Sequence, residues 1–247
     1  MSIRHKTLSA MAAFGLLVLL SSPVAAMDEP AAARPVPVAD FAGESASADA
    51  RYTAAWILSA ADNKGLPFVI VDKRDARIFV FEASGQLRGA SPALLGLAPG
   101  DHSVPGIGQR PVTRILPEER TTPAGRFLSQ PGRNLQGEEV IWVNYSEGFA
   151  IHRVRPGNSQ EQRYQRLATT TPSDNRISLG CVVVPVSFYE SVVGPMLGRN
   201  YSMVYVLPET RPVQALFGGE TLTSAQPGQV SHLAPAAFTQ PRRPAAY

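Results

Sequence analysis

The sequence contains a single cysteine, Cys181, and this residue offers the sharpest chemistry in the chain. A thiol becomes a nucleophile when a neighbouring base, most often a histidine, takes its proton. The preceding Gly180 permits a sharp turn that brings backbone N–H groups close to a substrate carbonyl, as an oxyanion hole requires. A buried structural cysteine beside the valine run at 182–184 is the alternative. Cys181 is therefore a candidate nucleophile for acyl transfer.

Three histidines could act as the base for this thiol. His232 lies in a tail rich in Pro and Gln, and His102 lies in a loop rich in Gly and Pro, where solvent-exposed surface is the simpler interpretation. His152 lies in the strand-like segment FAIHRV, whose alternation places Ala150, His152 and Val154 on one face. An isolated strand histidine is more often structural, but Cys181 makes His152 the leading candidate base.

The sequence indicates no metal and no cofactor. Asp101, His102 and Glu118 lack the spacing of a metal-ligand set, and one cysteine cannot form a cysteine-rich zinc site. The glycine segment PGIG does not match the G-x-G-x-x-G pattern of a dinucleotide-binding loop. We therefore expect chemistry carried by side chains alone.

The N-terminus has the pattern of a secretory signal peptide over residues 1–26. Arg4 and Lys6 precede an apolar run at 11–20, and small residues at 24–26 match a signal-peptidase site. The apolar run is shorter than the roughly 20 residues that span a bilayer, so an uncleaved anchor is the weaker alternative. The pattern predicts an exported, periplasmic protein with no membrane span after cleavage.

Charge and composition exclude several classes of protein. Removal of the signal leaves 21 basic and 20 acidic residues and no long basic run, so the charge gives no case for nucleic-acid binding. The hydrophobic fraction of 44% suits a folded core, which excludes a wholly disordered chain. The 22 prolines and 20 glycines favour short strands and loops over a helical bundle. We also expect a monomer.

The elements that must position the candidate residues form a β-dominated domain over 67–208. A flexible leader is expected at 27–50, a short helix at 51–66 and a tail rich in Pro and Gln, mostly disordered, at 209–247. Runs rich in β-branched and aromatic residues predict strands at 68–72, 77–82, 87–97, 125–129, 139–144, 149–154, 182–184 and 202–207. A Gly/Pro-rich loop is expected at 99–123, a polar stretch at 155–176 and a short helix at 185–193.

Four segments in order resemble the L,D-transpeptidase catalytic domain, also called the YkuD domain. The segments are FVIVDKRDARIFVFEASGQL, the Thr122–Phe127 stretch TPAGRF, the strand pair IWVNYSEGFAIHRV, and Ser178-x-Gly180-Cys181. Each segment alone is a weak signal, whereas the four in order cover about residues 67–207. The region also resembles a proteobacterial subgroup of exported proteins with Arg-Ile-Ser-x-Gly-Cys near the nucleophile. The resemblance implies a mainly β, β-sandwich-like fold with short helices.

The resemblance also implies a two-step acyl transfer on peptidoglycan stem peptides. Cys181 would attack the carbonyl between a diaminopimelate-type third residue and the terminal D-Ala, with His152 as general base. A backbone carbonyl near Arg153 would orient the imidazole, and N–H groups around Gly180 and Cys181 would stabilise the oxyanion. Ser178 is a candidate hydrogen-bonding partner for this turn, with a simple turn serine as the alternative.

Arg176 is a candidate partner for a stem-peptide carboxylate, because a guanidinium fork matches that group. A solvated arginine is the alternative. The spacer between His152 and Ser178 is several residues longer than is usual in the YkuD domain. With its arginines, it could form a lid or a basic rim over the substrate groove. These arginines are Arg153, Arg155, Arg163 and Arg166.

Two positions depart from the family pattern and leave the function open. Leu179 replaces the usual histidine two residues before the nucleophile, and Val183 replaces an Arg or Asn two residues after it. The acceptor of the acyl group can be an amine, which gives a transpeptidase, or water, which gives a hydrolytic L,D-carboxypeptidase or endopeptidase. A third alternative is a degenerate module that binds the cell wall without turnover.

Overall fold

The computed structural model describes residues 38–218, and the predicted signal peptide at 1–26 lies outside this range. Ten strands dominate it. They are β1 Phe68–Asp72, β2 Arg77–Phe81, β3 Leu87–Pro92, β4 Leu95–Gly96, β5 Gly125–Arg133, β6 Glu139–Asn144, β7 Phe149–Arg153, β8 Arg176–Ser178, β9 Val182–Val184 and β10 Ser202–Val206. The prediction of a mainly β domain with short helices is confirmed.

The helices are short and lie outside the main sheet. They are α1 Ala48–Ser59, α2 Arg163–Ala168, α3 Val186–Phe188, a π-helix at Tyr189–Val193 and α4 Gly194–Leu197. Single 3₁₀ turns occur at Ile107–Gln109, Val112–Arg114, Pro117–Glu119, Ser159–Glu161, Pro172–Asn175 and Val213–Ala215. Within the described range, no helix combines the length and the apolar character that a membrane crossing needs.

Eight strands form one mixed sheet in the order β3-β2-β1-β10-β5-β6-β7-β9, and β4 pairs with β8 beside it. The sheet is strongly curved and nearly closed, because strands far apart in this order contribute to one core. Val80 of β2, Val69 of β1, Ile151 of β7 and Val182 of β9 all belong to the same buried cluster. Tyr189 of the π-helix packs into that cluster as well.

Helix α1 covers the outer face of the strands at one end of the sheet. Ser47 caps it, since its hydroxyl accepts a hydrogen bond from the Ala50 N–H at 3.0 Å. Buried residues at helical spacing pack on Phe68, Phe79 and their neighbours. The helix was predicted at 51–66 but begins at Ala48, because its capping residue Ser47 lies in the expected leader. It ends at Ser59, because residues with positive φ follow it.

Residues 38–50 and 209–218 pack on the domain, although the sequence analysis assigned them to a flexible leader and a disordered tail. Phe41 is 5% exposed and packs edge-on against Phe79 and Phe81. Phe217 is 1% exposed, with its ring 5.6 Å from that of Trp56. Single aromatic anchors hold both segments, which their polar composition does not reveal. The remaining leader and tail residues lie outside the described range.

Candidate active site

Cys181 and His152 lie on the same face of two neighbouring parallel strands. Strands β7 and β9 pair in parallel with His152 opposite Val183, and Cys181 directly precedes β9. The alternate residues Ile151 and Val182 point into the main core, so His152 and Cys181 point to the other face. The structure thus places the two leading candidate residues on one face of this strand pair, His152 within β7 and Cys181 at the residue before β9.

The imidazole of His152 is oriented by the backbone of the next residue. Its Nδ1 lies 2.9 Å from the Arg153 carbonyl oxygen, so a proton on Nδ1 leaves Nε2 as the basic nitrogen. Burial lowers the pKa of His152 to about 4, and the nearby positive charges of Arg155 and Arg163 act in the same direction. At neutral pH the ring is therefore an uncharged base. The carbonyl at Arg153 is the orienting group that the sequence analysis expected.

The thiol of Cys181 is partly buried and protonated. Its Sγ donates a weak hydrogen bond to the Gly148 carbonyl at 3.5 Å. Burial raises the pKa of Cys181 to about 11, which outweighs the favourable contact with the Ala150 backbone N–H. Cys181 and His152 are therefore both uncharged at neutral pH, and a thiol in this state becomes a nucleophile only when a base takes its proton.

Ser178 closes the turn that carries the nucleophile. Its Oγ donates to the Cys181 carbonyl at 2.7 Å and accepts from the Gly180 N–H at 3.1 Å. Gly180 has φ +132°, and a Cβ there would lie 2.8 Å from the Thr121 carbonyl oxygen, so the position requires glycine. The Gly180 N–H, which the sequence analysis counted among the oxyanion donors, is already bonded to Ser178.

The long loop at 99–123 folds over the thiol. It forms three 3₁₀ turns, and Gly108 sits so tightly on the β6–β7 turn that a Cβ there would lie 2.4 Å from the Ser146 carbonyl oxygen. The crevice that remains at Cys181 has a volume of about 10 Å³, the room of one water molecule. Its lining includes Ile107, Thr121, Phe149, Leu179 and Gly180. In this structure the loop therefore leaves little room beside the thiol.

Val183, one of the two departures from the YkuD pattern, lies in an apolar environment. Val183 is 1% exposed in an apolar cluster with Leu94, Val154 and Leu167, where a charged side chain would be buried without a partner. Leu167 belongs to α2, in the longer spacer before Ser178. The spacer therefore covers this end of the sheet with apolar packing.

The spacer arginines are paired with neighbouring groups of the protein. Arg155 bonds to Glu138, and Arg163 Nε lies 2.6 Å from Glu161 Oε2. Arg166 donates to backbone carbonyls, including that of Glu161 at 2.7 Å. The guanidinium of Arg153 stacks on a tyrosine ring on the opposite face of the sheet from His152. The basic rim that the sequence analysis considered is thus largely neutralised.

Arg176 lies in a largely buried ion cluster with Lys73, Asp101 and Glu209. Its guanidinium bonds to the Glu209 carboxylate and to the Lys73 carbonyl, the latter at 2.9 Å. Lys73 is 0% exposed, and its Nζ lies 2.9 Å from Asp101 Oδ1 and 3.4 Å from Glu209 Oε1. The sequence analysis expected Arg176 to bind a substrate carboxylate, but Glu209 occupies its fork here.

The ion cluster holds its carboxylates in the charged form. Burial alone would raise the pKa of Asp101, but hydrogen bonds from Thr210 and Lys73 outweigh it and hold that pKa well below its ordinary value. The cluster joins the β1–β2 turn, the start of the long loop, β8 and the segment after β10. Sequence reasoning missed Lys73, Asp101 and Glu209, because their partners are far apart in the chain.

Thr122 is a further residue that sequence reasoning did not single out for the site. Its buried hydroxyl donates to the Gly180 carbonyl at 2.9 Å and accepts from the Gly96 N–H at 2.8 Å. Thr122 is the first residue of TPAGRF, a segment that the sequence analysis used only for its resemblance to the YkuD domain.

The acidic residues near His102 do not form a metal site. Asp101 is bonded to Lys73, and no group of three His, Cys, Asp or Glu side chains within residues 38–218 is arranged to hold a metal ion.

Comparisons with known proteins place solved L,D-transpeptidases among the similar structures. An L,D-transpeptidase from Enterococcus faecium is 17% identical, with a TM-score of 0.32, 57% of this chain and 49% of that chain covered. One from Xylanimonas cellulosilytica is 15% identical, with a TM-score of 0.36 and coverages of 57% and 60%. The helical cell shape determining protein Pgp2 from Campylobacter jejuni is 16% identical, with a TM-score of 0.38 and coverages of 59% and 49%.

The chain spans about half to three fifths of the length of these structures. No protein-family model and no curated protein matches it.

Proposed function

We propose that this protein is a cysteine acyltransferase of the L,D-transpeptidase type that acts on peptidoglycan stem peptides. The observation that carries the proposal is the placement of His152 on β7 and of Cys181, at the residue before β9, on one face of this parallel strand pair, with His152 Nδ1 at 2.9 Å from the Arg153 carbonyl. Nucleophile, base and orienting group then have the roles that a thiol acyl transfer needs. The four sequence segments that resemble the YkuD domain supply the substrate class.

The first step forms an acyl-enzyme. His152 Nε2 takes the proton of the Cys181 thiol while Sγ attacks the carbonyl carbon that precedes the terminal D-Ala. The carbonyl oxygen becomes an oxyanion, which a backbone N–H at the nucleophile turn stabilises. The C–N bond then breaks, His152 returns the proton to the leaving amine, and a thioester remains on Cys181.

The second step transfers the acyl group to an acceptor. An amine of a second stem peptide attacks the thioester, His152 takes the amine proton, and the thiol is released as a new amide forms. Water in place of the amine gives a carboxylic acid and makes the enzyme an L,D-carboxypeptidase. The crevice beside Cys181 is lined by polar as well as apolar residues, so either acceptor is compatible with it, and the experiment below distinguishes them.

A cell-wall-binding module without turnover is the second candidate function. The specific observation in its favour is the closed state of the site. Cys181 has a pKa of about 11 because it is buried, and the space beside it has the volume of one water molecule. The apolar Leu179 and Val183, which stand where the YkuD pattern has polar residues, also favour the binding module. An inert thiol would suit such a module.

The proposed location is the periplasm, where the stem peptides are accessible. The proposal draws on the signal-peptide pattern at residues 1–26 and on the near-neutral charge of the remaining chain. The proposed mechanism uses only side-chain and backbone groups and needs no cofactor, and a monomer stays the expectation for the oligomeric state.

The experiment is intact-protein mass spectrometry after incubation with a carbapenem, whose strained amide carbonyl mimics the acyl donor. We expect a single adduct on the wild-type protein and none on Cys181→Ala. Absence of an adduct on well-folded wild-type protein would contradict the enzyme and support the binding module. A positive result leads to incubation with tetrapeptide stems, where a cross-linked product or a shortened tripeptide distinguishes amine from water as acceptor.

A further inference from the structure

Thr122 links the nucleophile turn to the body of the protein through its hydroxyl group. The side chain is fully buried, and its Oγ1 donates to the Gly180 carbonyl at 2.9 Å. The same oxygen accepts from the Gly96 N–H at 2.8 Å. With its donor and one acceptor position both used, the hydroxyl has a defined orientation.

The backbone of Thr122 is itself held in place. Its carbonyl accepts a hydrogen bond from the buried Lys73 Nζ at 3.0 Å, and Lys73 is bonded to Asp101 in the ion cluster. The preceding residue, Thr121, forms a parallel bridge with Ala98. Thr122 is therefore a rigid support rather than a mobile loop residue.

The contact with Gly180 fixes a peptide unit that includes the nucleophile. The Gly180 carbonyl and the Cys181 N–H belong to one planar trans peptide, so they point in opposite directions. Anchoring the carbonyl oxygen on Thr122 turns the Cys181 N–H to the side away from Thr122. The Gly180 N–H cannot take the same role, because it is bonded to Ser178 Oγ at 3.1 Å.

We propose that Thr122 is a positioning residue for the acyl-transfer reaction. Its hydroxyl orients the Gly180–Cys181 peptide so that the Cys181 N–H stabilises the oxyanion formed on the substrate carbonyl. This inference rests on the function proposed above. It predicts that Thr122 matters for attack on a carbonyl and not for the reactivity of the thiol as such.

The test compares two reactions of Cys181 in the wild-type protein, Thr122→Val and Thr122→Ser. Acylation by a carbapenem passes through an oxyanion, whereas alkylation by iodoacetamide displaces iodide from a CH₂ group and forms none. We expect Thr122→Val to slow acylation by roughly 10- to 100-fold, at or below the cost of losing one oxyanion donor. Alkylation of Thr122→Val should stay within about twofold of the wild-type rate, because this reaction forms no oxyanion. Thr122→Ser keeps the hydroxyl group and should be acylated at close to the wild-type rate.

Thr53→Val is the matched control, because Thr53 is also fully buried and its hydroxyl also donates to a backbone carbonyl, that of Asp49 at 2.8 Å in α1. It should change neither rate. If Thr122→Val does not fold, as judged by its thermal transition, Thr122→Ala removes the same hydroxyl without adding bulk.

Three results would overturn the inference. Equal slowing of acylation and alkylation in Thr122→Val would mean a general disturbance of the site. Wild-type acylation by Thr122→Val would mean that the hydroxyl has no part in the reaction. No acylation of the wild-type protein itself would remove the proposed function, and the inference with it.

Discussion

Burial keeps both the Cys181 thiol and the His152 imidazole uncharged. The thiol has a pKa of about 11 and the imidazole a pKa of about 4, so both groups are neutral over the physiological range. A thiolate–imidazolium pair would instead need the opposite order of pKa values. In the proposed mechanism His152 therefore takes the thiol proton during the attack, and its contact with the Arg153 carbonyl through Nδ1 keeps Nε2 available.

The pH profile of carbapenem acylation tests this arrangement. The reaction needs neutral His152, and protonation of the imidazole removes the base as the pH falls through its pKa of about 4. We therefore expect a rate that is level from about pH 5 to 8 and declines only near pH 4, far below the ordinary histidine value of about 6.5. Stopped-flow or quenched mass spectrometry measures the rate. A decline centred between about pH 6 and 7 would contradict a buried, neutral base.

At the scale of the elements, the parallel pair β7–β9 positions His152 and Cys181, and the loop at 99–123 covers the thiol. The strands hold His152 and Cys181 in register, because each is flanked by residues anchored in the main core. The loop covers the thiol and fits closely through Gly108, which a side chain would force away from Ser146. Access to the nucleophile is thus set by loop packing.

Gly108→Ala should open the site. Its Cβ would lie 2.4 Å from the Ser146 carbonyl oxygen, so the closed loop should lose about 1–3 kcal/mol. The rate of Cys181 alkylation by iodoacetamide should rise about tenfold, since each 1.4 kcal/mol changes an equilibrium tenfold. Thr113→Ala, at an exposed position of the same loop, is the control and should leave the rate unchanged. An unchanged rate for Gly108→Ala would show that the loop does not govern access.

At the scale of the whole molecule, the ion cluster of Lys73, Asp101, Arg176 and Glu209 ties together segments that are distant in sequence. Lys73 donates to the Gly100 and Thr122 carbonyls as well as to Asp101, so its charge is compensated on several sides. Buried charges of this kind are costly to leave unpaired. Lys73 of the cluster also donates to the Thr122 carbonyl, and the Thr122 hydroxyl donates to the Gly180 carbonyl. The cluster is thus linked by hydrogen bonds to the turn that contains Cys181.

Lys73→Met should destabilise the fold by about 3–5 kcal/mol, because it leaves the buried Asp101 carboxylate without the cation that lies 2.9 Å from it, whereas Glu209 keeps its ion pair with Arg176. Equilibrium unfolding in urea measures the free energy. Arg88→Met is the control, since it removes an exposed ion pair with Glu82 at 3.2 Å and should cost less than about 1 kcal/mol. Losses of equal, small size in both variants would argue against a structural role for the cluster.

Local patterns in the sequence were sufficient for most strands and for the two residues of the candidate pair. The runs at 68–72, 139–144 and 182–184 form strands with the predicted bounds, because β-branched and aromatic residues favour a pleated, buried surface wherever they occur. Alternation along FAIHRV was enough to put His152 on the face away from Ile151. The roles of Cys181 and His152 in catalysis stay predictions.

Only the tertiary structure decided how the rest of the chain serves these residues. Arg176 pairs with Glu209, the Thr122 hydroxyl holds the Gly180 carbonyl, and the loop at 99–123 covers the thiol. Each of these contacts joins residues that lie more than thirty positions apart in the chain. Sequence periodicity reports the face on which a side chain lies, whereas its partner depends on how distant segments pack, so such contacts leave no local pattern to read.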